Sequence, residues 1–210
     1  MNWFYQLMLH LTMSIFLLWF DIRFEGTENI PSKKSNDNYI VICNHRSILD
    51  PIFIAWYIPK MVRFMGKAEL FKKQPAKWFC EAVGGFPVER GSGDMAALEY
   101  GIDLYRQGYP IGIFPEGTRS KDGAPLRPKS GAALVAKLAG ANILPCAVSF
   151  EGSLGFRRKI VIKYGPLIPY ETLGLSEDSP RALKKATKIM WDGVLRLLGL
   201  EDKADGDHNG

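Results

Sequence analysis

Cysteine and histidine are both scarce here, with three of each in 210 residues. Cys43, Cys80 and Cys146 are widely spaced and form no Cys-x-x-Cys pair. That excludes a disulfide framework and a thiolate zinc site. Each thiol lies in an apolar stretch, which predicts a buried, inert side chain. His10 falls in the leading apolar segment and His208 in the polar tail, leaving His45 as the one imidazole of the central region. A histidine-built metal centre is therefore not expected. Also missing is any interleaving of aromatic residues with Lys and Arg of the kind a base-stacking platform needs, so no nucleic-acid partner is expected. What the chain does carry is a net charge of +5, which favours anionic partners such as lipid surfaces, phosphorylated substrates or an acidic carrier protein.

No charged residue occurs between Met1 and Phe20. A helix of that length reaches about 30 Å, enough to cross a bilayer core. Asn2, Gln6, His10 and Ser14 recur every four residues, however, and set a polar stripe among Trp, Phe, Leu and Met. That pattern also fits a helix lying in the membrane interface, which is the preferred expectation. The segment lacks the basic start and small-residue cleavage site of a signal peptide. If it spans instead, Arg23, Lys33 and Lys34 just beyond it put the body on the cytoplasmic side. The expected organisation is a membrane-seating helix over 1–20, one domain over 21–200 and a polar tail over 201–210.

Two strand exits carry the chemistry. Tyr39–Cys43 is apolar and β-branched, reads as a buried strand, and runs into Asn44-His45-Arg46-Ser47-Ile48-Leu49-Asp50. Asp50-Pro51 suits a helix start, with Asp as cap and Pro at the first helical position. On a helix, residues five apart would point in different directions. A tight strand-to-helix turn can instead fold Asp50 onto His45, fixing the tautomer and leaving the second ring nitrogen free to take a proton. An isolated His-x-x-x-x-Asp is far more often a loop histidine beside a capping carboxylate, and the pattern carries no weight alone. The second exit follows the strand Pro110–Phe114 and reads Pro115-Glu116-Gly117-Thr118-Arg119-Ser120. Gly117 permits a sharp turn, and Arg119 supplies a guanidinium suited to phosphate. Taken alone it is a polar turn.

Together, Asn-His-x-x-x-x-Asp and Phe-Pro-Glu-Gly-Thr-Arg-Ser resemble the motifs of the glycerolipid acyltransferases, and most closely those of the 1-acylglycerol-3-phosphate (lysophosphatidic acid) acyltransferases. Gly66-Lys67-Ala68-Glu69-Leu70-Phe71, Gly84-Gly85-Phe86-Pro87-Val88-Glu89-Arg90 and Ile143-Leu144-Pro145 look like the family's other blocks, in the right order. Two departures stand out: Glu89 where the family often has Asp, and Pro75-Ala76-Lys77 where it often has glycine. The resemblance implies acyl transfer from acyl-coenzyme A or acyl-carrier protein to the free hydroxyl of lysophosphatidic acid, with no metal or cofactor. His45 would be the general base, held by Asp50, and Glu116 would organise its loop. Arg119 with the amides around Gly117 and Thr118 would hold the phosphate, helped by Arg90. Lys67 or a backbone amide would face the oxyanion. Ser47 is a poorer candidate nucleophile. The alternatives are acylation of glycerol 3-phosphate or another lysolipid, a hydrolase using the same pair, and a membrane lipid-binding module without turnover.

Strands over 20–24, 61–65, 86–88, 143–150 and 159–164 alternate with helices over 94–107, 130–139 and from Ser179-Pro180 onward. The expected class is α/β, a central mixed sheet flanked by helices.

Overall fold

The computed structural model describes residues 3–34, 37–88, 95–120, 122–151 and 158–200. Seven strands form one sheet: β1 Asp21–Glu25, β2 Tyr39–Cys43, β3 Arg63–Lys67, β4 Gly85–Val88, β5 Ile111–Ile113, β6 Asn142–Glu151 and β7 Lys159–Tyr164. Their order is β1-β7-β6-β2-β5-β3-β4. Every pairing is parallel except β6 with β7. The sheet is thus mixed, as expected.

The helices are α1 Trp3–Trp19, α2 Asp50–Ala55, α3 Ala76–Ala82, α4 Met95–Arg106, α5 Gly131–Ala139 and α6 Pro180–Leu198. Ser179 caps α6 by accepting a hydrogen bond from the Ala182 amide, and Pro180 takes the first helical position, where its missing N–H costs nothing. Strand periodicity sorts the core onto two faces. Ile40, Ile42, Ile111 and Ile143 face one side, where α5 and α6 pack. Tyr39, Val41, Cys43, Leu144 and Cys146 face the other, where α1 and α2 pack. All five residues of β2 are buried, which is the signature of a central parallel strand covered on both faces.

Helix α1 is only half absorbed. Tyr5, Leu9 and Met13 sink into the core at four-residue spacing, while Leu7, Leu11, Ile15, Leu18 and Trp19 lie exposed. Among the described residues, no helix is long and apolar enough to cross a membrane. The cysteine expectation holds for Cys43 and Cys146, which are buried as register partners on β2 and β6. Burial pushes the Cys43 thiol well up. Cys80 differs: it is only half-buried, because α3 is a short surface helix with no buried residue of its own.

Candidate active site

Both motif turns leave the same end of the sheet, the C-terminal end of its parallel strands, since β2 and β5 are parallel neighbours. Asn44, wholly buried, locks the first turn to β6: its carboxamide donates to the Val148 carbonyl and accepts from the Val148 amide, both at 2.9 Å. It continues the ladder by side chain where the β2 backbone turns away. His45 follows, with Nδ1 2.9 Å from Asp50 Oδ2. The same oxygen accepts the amides of Arg46 and Ser47, each at 2.7 Å. Asp50 is fully buried.

The helix-cap expectation for Asp50 is corrected by this geometry. Leu49 occupies the cap position and Asp50 is the first helical residue. Its carboxylate turns back to the imidazole and the turn amides instead of forward onto the helix, where no side-chain cap bond forms. The imidazole stacks on Phe114, with centroids 4.1 Å apart and planes 19° from parallel. That leaves Nε2 as the nitrogen free for proton transfer.

Glu116 ties the two turns together. Its Oε1 accepts the His45 amide at 2.8 Å and its Oε2 the Leu126 amide at 3.0 Å. The Ser120 amide also donates to the His45 carbonyl at 2.9 Å. Glu116 is 3% exposed. Burial pushes its carboxyl above the ordinary value of 4.5, while the two amides pull it back. Gly117 adopts φ 73°, the left-handed turn that its lack of a side chain permits.

A cavity of about 470 Å³ opens at these turns and extends toward the β3–α3–β4 segment, a volume within the usual range for small-molecule sites. His45, Gly117, Thr118 and Arg119 contribute its polar lining. Phe64, Phe71, Phe79, Val83 and Val88 contribute apolar wall. Phe71 packs across two glycines, so that a Cβ on Gly66 would fall 2.9 Å from its ring and one on Gly85 3.3 Å. Lys67 also lines the cavity but is paired with Glu69 at 3.2 Å, both side chains about half exposed. Cys80 lines it too, its thiol raised first by burial and then by Glu81.

The structure therefore brings together His45, Asp50, Glu116, Gly117, Thr118 and Arg119, with Lys67 at the same cavity. The expectation for Arg90 lies outside the described residues. Sequence reasoning missed Asn44 as the lock on β6 and Phe114 as the ring beneath His45, although both lie inside the motif stretches. It also gave Lys129 no individual role, yet that side chain lies along Gly117, its Nζ 3.2 Å from where a Cβ would stand. Among the described residues no group of His, Cys, Asp and Glu could hold a metal ion.

A family model described as Acyltransferase matches residues 21–149, the stretch that contains both turns. The chain belongs to this acyltransferase family. A relative from Streptococcus pneumoniae, named 1-acyl-sn-glycerol-3-phosphate acyltransferase, is 32% identical to this acyltransferase over 86% of its chain and 64% of the relative's. A Bacillus subtilis protein of the same name is 28% identical, covering 88% of this chain and 90% of its own. The crystal structure of the 1-acyl-sn-glycerophosphate (LPA) acyltransferase from Thermotoga maritima superposes with a TM-score of 0.64 at 26% identity, covering 89% of this chain and 76% of that one. The acyltransferase thus shares that α/β fold, and transferase chemistry is its family's chemistry.

Proposed function

We propose that this acyltransferase moves an acyl group from a thioester donor, acyl-coenzyme A or acyl-carrier protein, to the free hydroxyl of 1-acylglycerol 3-phosphate, making phosphatidic acid for phospholipid synthesis. One observation carries the reading: a His45–Asp50 pair at 2.9 Å that opens into an apolar cavity also lined by Arg119. His45 Nε2 takes the proton of the acceptor hydroxyl while Asp50 holds Nδ1 and stabilises the imidazolium. The hydroxyl oxygen attacks the thioester carbonyl, the C–S bond breaks, and the thiol leaves with the proton returned by His45. Ser47 is a poor nucleophile, since its hydroxyl already accepts the Leu49 amide at 3.2 Å.

Arg119, with Gly117 and Thr118, binds the acceptor's phosphate; Lys129 beside Gly117 and Arg90 add cations. Lys67 serves the oxyanion after leaving Glu69, and an amide at the turn is the other donor for that role. The acyl chain fills the apolar part of the cavity, gaining about 0.8 kcal/mol for each methylene buried. Holding hydroxyl, base and carbonyl together supplies much of the acceleration.

Helix α1 seats the enzyme on the membrane, lying in the interface at the cytoplasmic face. Two features support this. Its outward residues Leu7, Leu11, Ile15 and Leu18 are large and apolar. Its polar groups bond inward to the helix's own backbone: His10 to the Gln6 carbonyl, Thr12 to Met8 and Ser14 to His10. Back-bonded side chains of this kind demand no water.

Thiol release by the detergent-solubilised protein tests the reaction. Release that requires lysophosphatidic acid and is lost in His45→Ala is expected. Release without any acceptor would indicate a thioesterase, and release with glycerol 3-phosphate alone would move the acceptor assignment.

A further inference from the structure

Away from the cavity, two guanidinium groups share one aromatic ring. Arg46 lies 5.2 Å and Arg158 4.8 Å from the centroid of Phe150, both within cation–π range. Both cations are thus held by the same ring, and no carboxylate among the described residues forms an ion pair with either. Asp122 is near enough to feel Arg46, but its carboxyl is held low chiefly by the Ala124 amide and the Ser120 hydroxyl. Arg158 Nε has no acceptor among the described residues. Arg46 is also fixed from below, because a Cβ on Gly123 would stand 2.2 Å from its Nη2. This is a prearranged cationic platform with no ion-pair partner among the described residues.

Its place in the fold is informative. The last register pair of β2 with β6 is Cys43↔Cys146. Strand β6 continues to Glu151 and carries Phe150 about 13 Å beyond that pair, at roughly 3.3 Å per residue. In the strand order, the cavity lies toward β5, β3 and β4, the platform toward β6 and β7, and His45 leaves β2 between them. A thioester with its acyl chain in the cavity and its carbonyl at His45 must send its thiol arm out on the other side.

We infer that the Arg46–Phe150–Arg158 platform binds the phosphorylated end of the donor's pantetheine arm. This rests on the transfer reaction proposed above. Chemistry separates the two phosphates of that reaction. The acceptor's phosphorus is only a few bonds from its attacking oxygen and must sit beside His45, where Arg119 lines the cavity. The donor's phosphorus is removed from the thioester by the whole arm, and so belongs to cations outside the cavity: Arg46 follows His45 in the chain, but its guanidinium lies over Phe150 and does not line the cavity. Guanidinium pairs suit phosphoryl oxygens through charge and multiple N–H donors. Coenzyme A and the carrier protein's prosthetic group share this phosphorylated arm.

The test is steady-state kinetics of the full chain with lysophosphatidic acid and three donors: acyl-coenzyme A, acyl-carrier protein and an acyl-N-acetylcysteamine thioester, which has the thioester but no phosphate. Arg158→Gln is expected to raise KM for both phosphorylated donors about fivefold, as for a half-exposed charge contact. It leaves KM for the phosphate-free donor and for lysophosphatidic acid unchanged, and Arg158→Lys recovers most of the loss. An equal effect on all three donors, with a lowered melting temperature, would mean that Arg158 only supports the fold and would overturn the inference. No effect on any donor overturns it as well. A response confined to acyl-coenzyme A assigns the platform to the nucleotide end and rejects the shared-arm assignment. Failure of the wild-type protein to acylate lysophosphatidic acid from any donor strikes the proposed reaction itself, a result distinct from all of these.

Discussion

Glu116→Gln is the most discriminating single change, because it preserves shape while altering which atoms can accept. In the wild type both carboxylate oxygens accept, one from the His45 amide and one from the Leu126 amide. A glutamine retains one oxygen and sets an NH2 group against an amide that also donates. One charge-assisted bond is lost and a buried N–H is left unsatisfied, each worth about 1–3 kcal/mol. Relief of the buried charge returns part of that, so the net loss near neutral pH is about 2 kcal/mol. For a chain of this size that lowers the melting temperature by about 4–8 °C. The raised carboxyl adds a pH signature. Glu116 binds its proton more tightly folded than unfolded, so the associated stability is fully present below 4.5 and is lost as pH rises through the raised folded value. Glutamine has no such dependence. The wild-type advantage is therefore largest below 4.5 and narrows with rising pH. Thermal unfolding of both proteins across this range, with kcat/KM alongside, is the assay. A variant as stable and active as wild type, or a stability gap that widens with pH, would refute the brace.

His45→Ala should lower kcat by about 10²–10⁴-fold, the usual share of general base catalysis, with the melting temperature little changed. Asp50→Asn should cost activity and stability together, since Oδ2 accepts two backbone amides as well as His45; intact stability there would count against the geometry. Gly66→Val should push Phe71 into the cavity and shift acyl preference toward shorter chains in competition between donors, given a Cβ position 2.9 Å from the ring. An unchanged chain-length profile would remove Phe71 from the acyl wall. Leu11→Glu with Ile15→Glu should abolish co-sedimentation with anionic vesicles while preserving turnover of detergent-dispersed substrate; persistent sedimentation would refute α1 as the membrane seat.

Local pattern made much of this molecule legible. Lys159–Tyr164 is a strand over the expected span, and Ser179-Pro180 opens α6 as its capping chemistry predicts. The two motif turns were readable because strand exits, a left-handed glycine and a carboxylate five residues from the histidine are all local features. Non-local choices were not. Nothing in Asp21–Glu25 says that it pairs with Lys159–Tyr164, or that β7 runs antiparallel to β6. The fold of Asp50 onto His45 is legible in the sequence, but the Arg46 and Ser47 amides on the same oxygen are not, and it is these that turn the carboxylate away from the helix cap. Phe114 carried the right signal, an aromatic residue at a strand end beside the second motif, but its stack on His45 depends on the parallel pairing of β2 and β5.

The edge position of β1 has a consequence for the order in which the chain acquires its structure. The first strand has one neighbour, β7, and the turn after it is fastened the same way, with Asn29 bonding the Tyr164 carbonyl 135 residues downstream. Until β7 has been synthesised, β1 has no place in the sheet. The apolar helix that precedes β1 leaves the ribosome before it, while the strand that tethers them to the sheet follows more than 130 residues later. Through that interval α1 is joined to a strand without a partner, so the lipid seat proposed for this helix does not wait for the completed sheet.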